Sequence, residues 1–182
     1  MGQTCTATRG QGANAGRFLA IVAAIGASAL YVSDRYTIGI DFQEERCLPE
    51  IVYLIDTWRQ PTASDLDRGD YIAVHLAPDQ LPDYASNPDQ IWIKRVVAQD
   101  PGTVMQVRQD GISFTHGADT WDHGTELEGA TRLDRSAASF VRDVTLEMGQ
   151  MFLMGDLPMS YDARYFGAVD ESRIVGTVLW AF

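Results

Sequence analysis

Ile91-Trp92-Ile93-Lys94-Arg95-Val96-Val97-Ala98 is an apolar run interrupted by two cations, and it reads as a buried or half-buried β-strand. Lys94 is the only lysine among fourteen basic side chains, the rest being arginine. The two cations differ in chemistry. A guanidinium stays charged inside a protein, whereas burial can push an ammonium toward neutrality and make it a base. A lone lysine in an apolar strand is therefore a candidate catalytic amine. A coding bias toward arginine accounts for the same composition, and spacing alone does not choose between the two.

Working outward from this strand, short apolar runs separated by turns fill most of the chain. Ile51–Ile55 reads as one strand, and Asp70–Leu76 as another, with Ile72, Val74 and Leu76 on one face. Pro78, Pro82 and Pro88 make residues 77–90 an irregular excursion. A turn at Asp100-Pro101-Gly102 leads into a strand over Thr103–Val107. Arg108–Arg142, rich in Gly, Asp, Thr and Ser, reads as an insertion of hairpins and loops. Apolar strand character returns over Leu146–Met154 and again over Ile174–Trp180. Many short strands with turn punctuation and no long helix among them indicate a mainly β domain.

One segment differs. Phe18–Ser33 holds sixteen uncharged residues between Arg17 and Asp34, slightly short of the ~20 that span a bilayer core. Snorkelling of Arg17 and local thinning would cover the mismatch. Arg9 and Arg17 precede the segment, so the positive-inside tendency places residues 1–17 in the cytoplasm, an anchor over 18–33, and residues 34–182 outside. A cleavable leader, with small residues at Gly26-Ala27-Ser28-Ala29, is the competing reading. A buried helix of a cytosolic protein is disfavoured because the segment lacks a polar face.

Net charge is −11, and residues 1–33 hold two arginines and no acid, so the remainder is more acidic still. That argues against nucleic-acid binding through phosphate neutralisation. An anchor would separate Cys5 from Cys47 by a bilayer, excluding an intrachain disulfide and leaving Cys47 an unpaired thiol outside the cytoplasm.

Three constellations compete for chemistry. In the first, Cys47 attacks a carbonyl with Lys94 as its base, and a backbone N–H near Cys47 stabilises the oxyanion. The second pairs Cys47 with His75, although a lone strand histidine is more often structural. The third is a metal site from His116, His123, Asp119 and Asp122, whose spacing matches no compact ligand motif. The run Met154-Gly155-Asp156-Leu157-Pro158-Met159-Ser160-Tyr161-Asp162-Ala163-Arg164-Tyr165-Phe166-Gly167 offers a hydroxyl at Ser160 to steer an amine and an ion pair from Asp162 and Arg164.

Four ordered blocks resemble the signal peptidase I superfamily of Ser/Lys-dyad membrane peptidases, especially its conjugative-transfer branch that processes pilins. They are Cys47-Leu48-Pro49, then Asp67-Arg68-Gly69-Asp70-Tyr71-Ile72-Ala73-Val74, then Ile93-Lys94-Arg95-Val96-Val97-Ala98, then the run from Gly155 to Gly167. The resemblance places the family's nucleophilic serine on Cys47 and its general-base lysine on Lys94. Ser160 matches the hydroxyl that orients the lysine, and Asp162 with Arg164 the supporting ion pair. It implies an antiparallel β domain with a variable insertion over 108–145 and one N-terminal transmembrane helix. It implies no cofactor, and a periplasmic catalytic domain anchored in the bacterial inner membrane.

The implied activity is processing of an exported precursor, a conjugative pilin or related secretion substrate, by hydrolysis or by cyclisation. The chain departs from the family in its sulfur nucleophile, in Leu157 where Asn usually follows Gly-Asp, and in Ala163 where serine is common. A catalytically silent structural component of a transfer apparatus is the competing function.

Overall fold

The computed structural model describes residues 11–43, 46–85, 87–124 and 126–182. Cys5 and Arg9 lie outside the described residues, as does the expectation about a disulfide between Cys5 and Cys47. The chain divides into two compact units, Met1–Tyr36 and Thr37–Phe182.

The first unit is helix α1, Gln11–Arg35. Its stretch Gly16–Arg35, 20 residues, is long and apolar enough to cross a membrane. At ~1.5 Å rise per residue such a stretch is about 30 Å long, the thickness of a hydrocarbon core. The helix exceeds the uncharged segment at both ends, taking in Arg17, Asp34 and Arg35. A single charge near a helix end costs little where its head can reach the interface.

The second unit is built of antiparallel strands. Among the described residues, β1 (Tyr36–Ile40), β2 (Val52–Asp56), β3 (Tyr71–His75), β4 (Ile91–Ala98), β9 (Gln150–Met154), β10 (Val169–Asp170) and β11 (Ile174–Ala181) make one sheet, in the order β1-β2-β11-β3-β4-β9-β10. A second sheet holds β5 (Val104–Arg108), β6 (Gly111–His116), β7 (Asp119–Asp122) and β8 (Arg142–Thr145), in the order β7-β6-β5-β8. β5 begins before residue 108, so this sheet takes in more than the 108–145 segment. The reason is register: Val104 pairs with Thr115 on one side and Thr145 on the other, making β5 the strand that organises the insertion.

β4 sits between β3 and β9, with Lys94 opposite Ile72 and Arg95 opposite Met154. Flanked by two strands, it buries Trp92, Lys94 and Val96 at alternate positions, as a period of two requires. One core layer gathers Ile72, Val74, Trp92, Val96, Met151 and Leu153. A second joins the insertion to the main sheet, where the Phe114 ring on β6 lies 5.8 Å from Phe152 on β9. A third is small: Leu48, Tyr53, Ile55 and Ala73, with Cys47 packed against it.

Strand β9 begins at Gln150, after a turn at Met148-Gly149 that breaks the strand expected over Leu146–Met154, and two further elements near the site differ from the sequence reading. Tyr36–Ile40 is a strand, obscured because it follows the helix without a turn signal and carries Gly39. Gly39 is tolerated because the Ile93 and Ile55 side chains close over it, leaving a Cβ only 3.0 Å from Ile93 Cδ1. Ala163–Phe166 forms a short helix, α2, where a loop is expected from the turn residues around it. Asp162 caps it by accepting from the backbone N–H of Arg164.

Candidate active site

Cys47 stands in the connection between β1 and β2, half-buried and free. The local chain fixes it from both sides. Leu48 is fully buried in the small core layer, Pro49 restricts the backbone, and the Arg46 guanidinium donates across the turn to the Pro49 carbonyl at 2.9 Å. The Cys47 carbonyl accepts from the N–H of Leu157 at 3.2 Å, tying the loop to the turn after β9.

Lys94 projects from β4 and is 1% exposed. Its Nζ donates to Ser160 Oγ at 3.2 Å and lies 5.7 Å from the centre of the Trp92 ring. Cys47 and Lys94 both line a cleft of about 300 Å³, shared with Tyr53, Ile55 and Ile93. Among the described residues no hydrogen bond joins Cys47 Sγ to Lys94 Nζ, although both residues line this cleft.

Ser160 is held by the turn between β9 and α2. Its N–H donates to Leu157 at 3.1 Å, and its hydroxyl packs on Gly155. A Cβ at Gly155 would fall 2.1 Å from Ser160 Oγ and 2.6 Å from the Cys47 carbonyl oxygen. Only glycine permits this approach of the lysine's partner and the cysteine loop to one point of backbone.

Behind the turn, Asp162 and Arg164 form a fully buried pair. Arg164 Nε donates to Asp162 Oδ1 at 2.7 Å and Nη2 to Oδ2 at 2.8 Å, the planar bidentate geometry of a strong charge-assisted contact. Asp162 Oδ2 also accepts the Gly155 N–H at 3.0 Å, and Arg164 Nη1 reaches the Glu126 carbonyl at 3.0 Å. Burial works to lower the affinity of Arg164 for its proton, but the Asp162 carboxylate outweighs it and holds the guanidinium above its ordinary value. The pair braces the turn that carries Ser160.

A second polar cluster gathers around Asp156, the residue after Gly155. Arg95, next to Lys94 in sequence, donates to Asp156 through Nε at 2.8 Å and Nη2 at 2.5 Å, and Nη2 also contacts Tyr71 Oη. Tyr71 Oη in turn donates to Glu50 at 3.0 Å, joining the segment after Cys47 to this cluster. Hydrogen bonding from Arg95 holds the Asp156 carboxyl below its usual value, and burial with the Glu50 contact raises the Tyr71 phenol. Glu50, Tyr71 and Asp156 were not marked by sequence. Charge beside Lys94 in an apolar strand is the signal that could have found them, since Arg95 demands a partner.

The remaining candidates go elsewhere. His75 Nδ1 lies 3.2 Å from the Gln90 carbonyl and is not among the residues lining the cleft. His116 Nδ1 meets Thr103 Oγ1 at 3.1 Å, whereas His123 Nε2 meets the Gly155 carbonyl at 3.1 Å. The two histidines thus have separate partners. Among the described residues no group of three or more His, Cys, Asp or Glu side chains is gathered to hold a metal ion.

The cleft is thus lined by Cys47 and the buried Lys94, whose amine donates to Ser160, and the Asp162–Arg164 pair bonds the same turn through the Gly155 N–H. That set is suited to acyl transfer, in which a nucleophile needs a base close by. A family model described as signal peptidase, peptidase S26, matches residues 14–182. A signal peptidase I crystal structure from Enterococcus faecalis is similar at 25% identity over 62% of this chain and 95% of that one, with a TM-score of 0.35. No curated protein matches the chain.

Proposed function

The chain belongs to the signal peptidase S26 family, and from that premise we propose that it is a membrane-anchored endopeptidase working through a Cys47/Lys94 dyad. What carries this reading is that Lys94, buried and held by Ser160, opens on the same cleft as Cys47. Lys94 takes the thiol proton as Cys47 Sγ attacks the scissile carbonyl carbon. A backbone N–H near Cys47 holds the oxyanion. The C–N bond then breaks, the proton passes from Lys94 to the leaving amine, and the acyl group remains on sulfur as a thioester. Water, deprotonated by Lys94, attacks the thioester and returns the thiol. Ser160 keeps the amine aimed, and the Asp162–Arg164 pair keeps Ser160 in place.

The substrate in this reading is an exported precursor, a conjugative pilin or related secretion protein. The helix α1 anchors the chain in the inner membrane, with Arg17 on the cytoplasmic flank and the β unit on the periplasmic side. If a precursor's own amine replaces water in the second half-reaction, the product is cyclic, and bond changes are otherwise the same.

Mass spectrometry of a candidate pilin produced with and without this protein tests the proposal. A shortened product, or one lighter by a further water, is expected only with the intact dyad. Undiminished maturation with Cys47→Ala and Lys94→Ala would mean that the chain is a silent structural component of the apparatus.

A further inference from the structure

Among the described residues, His123 is the one histidine whose side chain meets the Gly155 turn. Its backbone is rooted in the insertion, its N–H donating to the Ile112 carbonyl at 2.9 Å. Its Nε2 lies 3.1 Å from the Gly155 carbonyl oxygen. A carbonyl only accepts, so Nε2 must carry a proton, and among neutral forms this selects the Nε2–H tautomer.

Gly155 is thereby held through both its N–H and its carbonyl. Asp162 Oδ2 takes its N–H at 3.0 Å and His123 takes its carbonyl. Between those two contacts Gly155 has no room for a Cβ, which would fall 2.1 Å from Ser160 Oγ and 2.6 Å from the Cys47 carbonyl oxygen. Two residues on, Leu157 N–H holds Cys47 from the same turn. A shift of Gly155 would move the hydroxyl that aims Lys94 and the loop that carries the thiol together. The Asp156 carboxylate, paired with Arg95, is near enough for His123 to influence it.

We infer that His123 is a positioning residue for the reaction, reaching from the insertion to fix the Gly155 turn and hence the relative placement of Cys47 and Lys94. This rests on the peptidase reading above. It gives the second sheet a purpose beyond packing: the insertion supplies one of the contacts that set the dyad's geometry. Small displacements at reacting centres cost up to about a hundredfold in rate.

The experiment compares His123→Leu with His123→Gln on a precursor that the wild-type protein cleaves. Glutamine places an N–H near the position of Nε2, and leucine does not. The inference expects kcat to fall about ten- to a hundredfold in His123→Leu with KM little changed, and to recover to within about threefold in His123→Gln. Turnover within about twofold of wild type in His123→Leu overturns it, as does a His123→Gln protein no better than His123→Leu.

If His123→Leu does not fold, nitrogen-15 spectra of histidine-labelled wild type in detergent at pH 8.5 decide. His123→Gln identifies the resonance by its loss. An Nε2–H tautomer supports the inference, and an Nδ1–H tautomer overturns it. Failure of the wild type to cleave any precursor would instead sink the peptidase reading, leaving the tautomer to be read on its own.

Discussion

Among the described residues Lys94 has a single side-chain hydrogen-bond partner, Ser160, and it is almost wholly shielded from water. Removing its amine while keeping its volume separates chemistry from packing. Lys94→Met is expected to keep its melting temperature within a few degrees and to lose about 10²- to 10⁴-fold in cleavage rate, the usual worth of a positioned base. In a Cys5→Ser background, iodoacetamide should abolish cleavage by wild-type Cys47 and spare whatever activity Cys47→Ser retains, because only the thiolate alkylates readily.

Asp156 belongs to the same scale. Its carboxyl is held below its ordinary value of 3.8, so its stabilising contribution is complete above that value and is lost as pH falls through the lower folded value. Asp156→Asn should therefore flatten the acid limb of a stability-against-pH curve, read by denaturant unfolding between pH 5 and 2, while leaving Asp65 and Asp170 to titrate as before. Lys94, Ser160 and Asp162 were legible as unusual side chains in readable runs. The Glu50–Tyr71–Arg95–Asp156 cluster was not, because its members meet across sequence separations of 61 and 85 residues that only the sheet order creates.

At the level of elements, the turn from Gly155 to Asp162 decides whether the site forms. Gly155→Ala puts a methyl group into Ser160 Oγ and the Cys47 carbonyl, and backbone on one side cannot yield as a flexible side chain would. A loss of about 1–3 kcal/mol in unfolding free energy is expected, together with loss of cleavage. Asp162→Asn leaves the buried Arg164 without its counter-charge, and breaking such a pair from one side costs about 3–5 kcal/mol.

Strand β4 was readable because its apolar run continues on both sides of the two cations. The strand β1 was not, for its alternation of Tyr36, Ile38 and Ile40 follows the helix with no turn to set it apart, and most of its residues are exposed. Helix α2, only four residues long, depends on the Asp162 cap and the ion pair rather than on any periodicity. The insertion's hairpins were expected, but their sheet and its reach back to Gly155 were not, since polar loops give no hint of which strand they will extend.

For the molecule as a whole, the signal peptidase family and an N-terminal helix long and apolar enough to cross a membrane are consistent with a membrane-anchored chain. The full chain should remain with membranes after an alkaline carbonate wash, and a chain starting at Thr37 should be released by the same wash; release of the full chain would contradict the anchor. The run Phe18–Ser33 already suggested that helix, though flanking charges hid its length.

The most direct test of the account is the mass of an exported precursor co-produced in membranes with wild type, Cys47→Ala or Lys94→Met. The account expects a defined shortened product with wild type and unprocessed precursor with either substitution. The same shortened product in all three would contradict it.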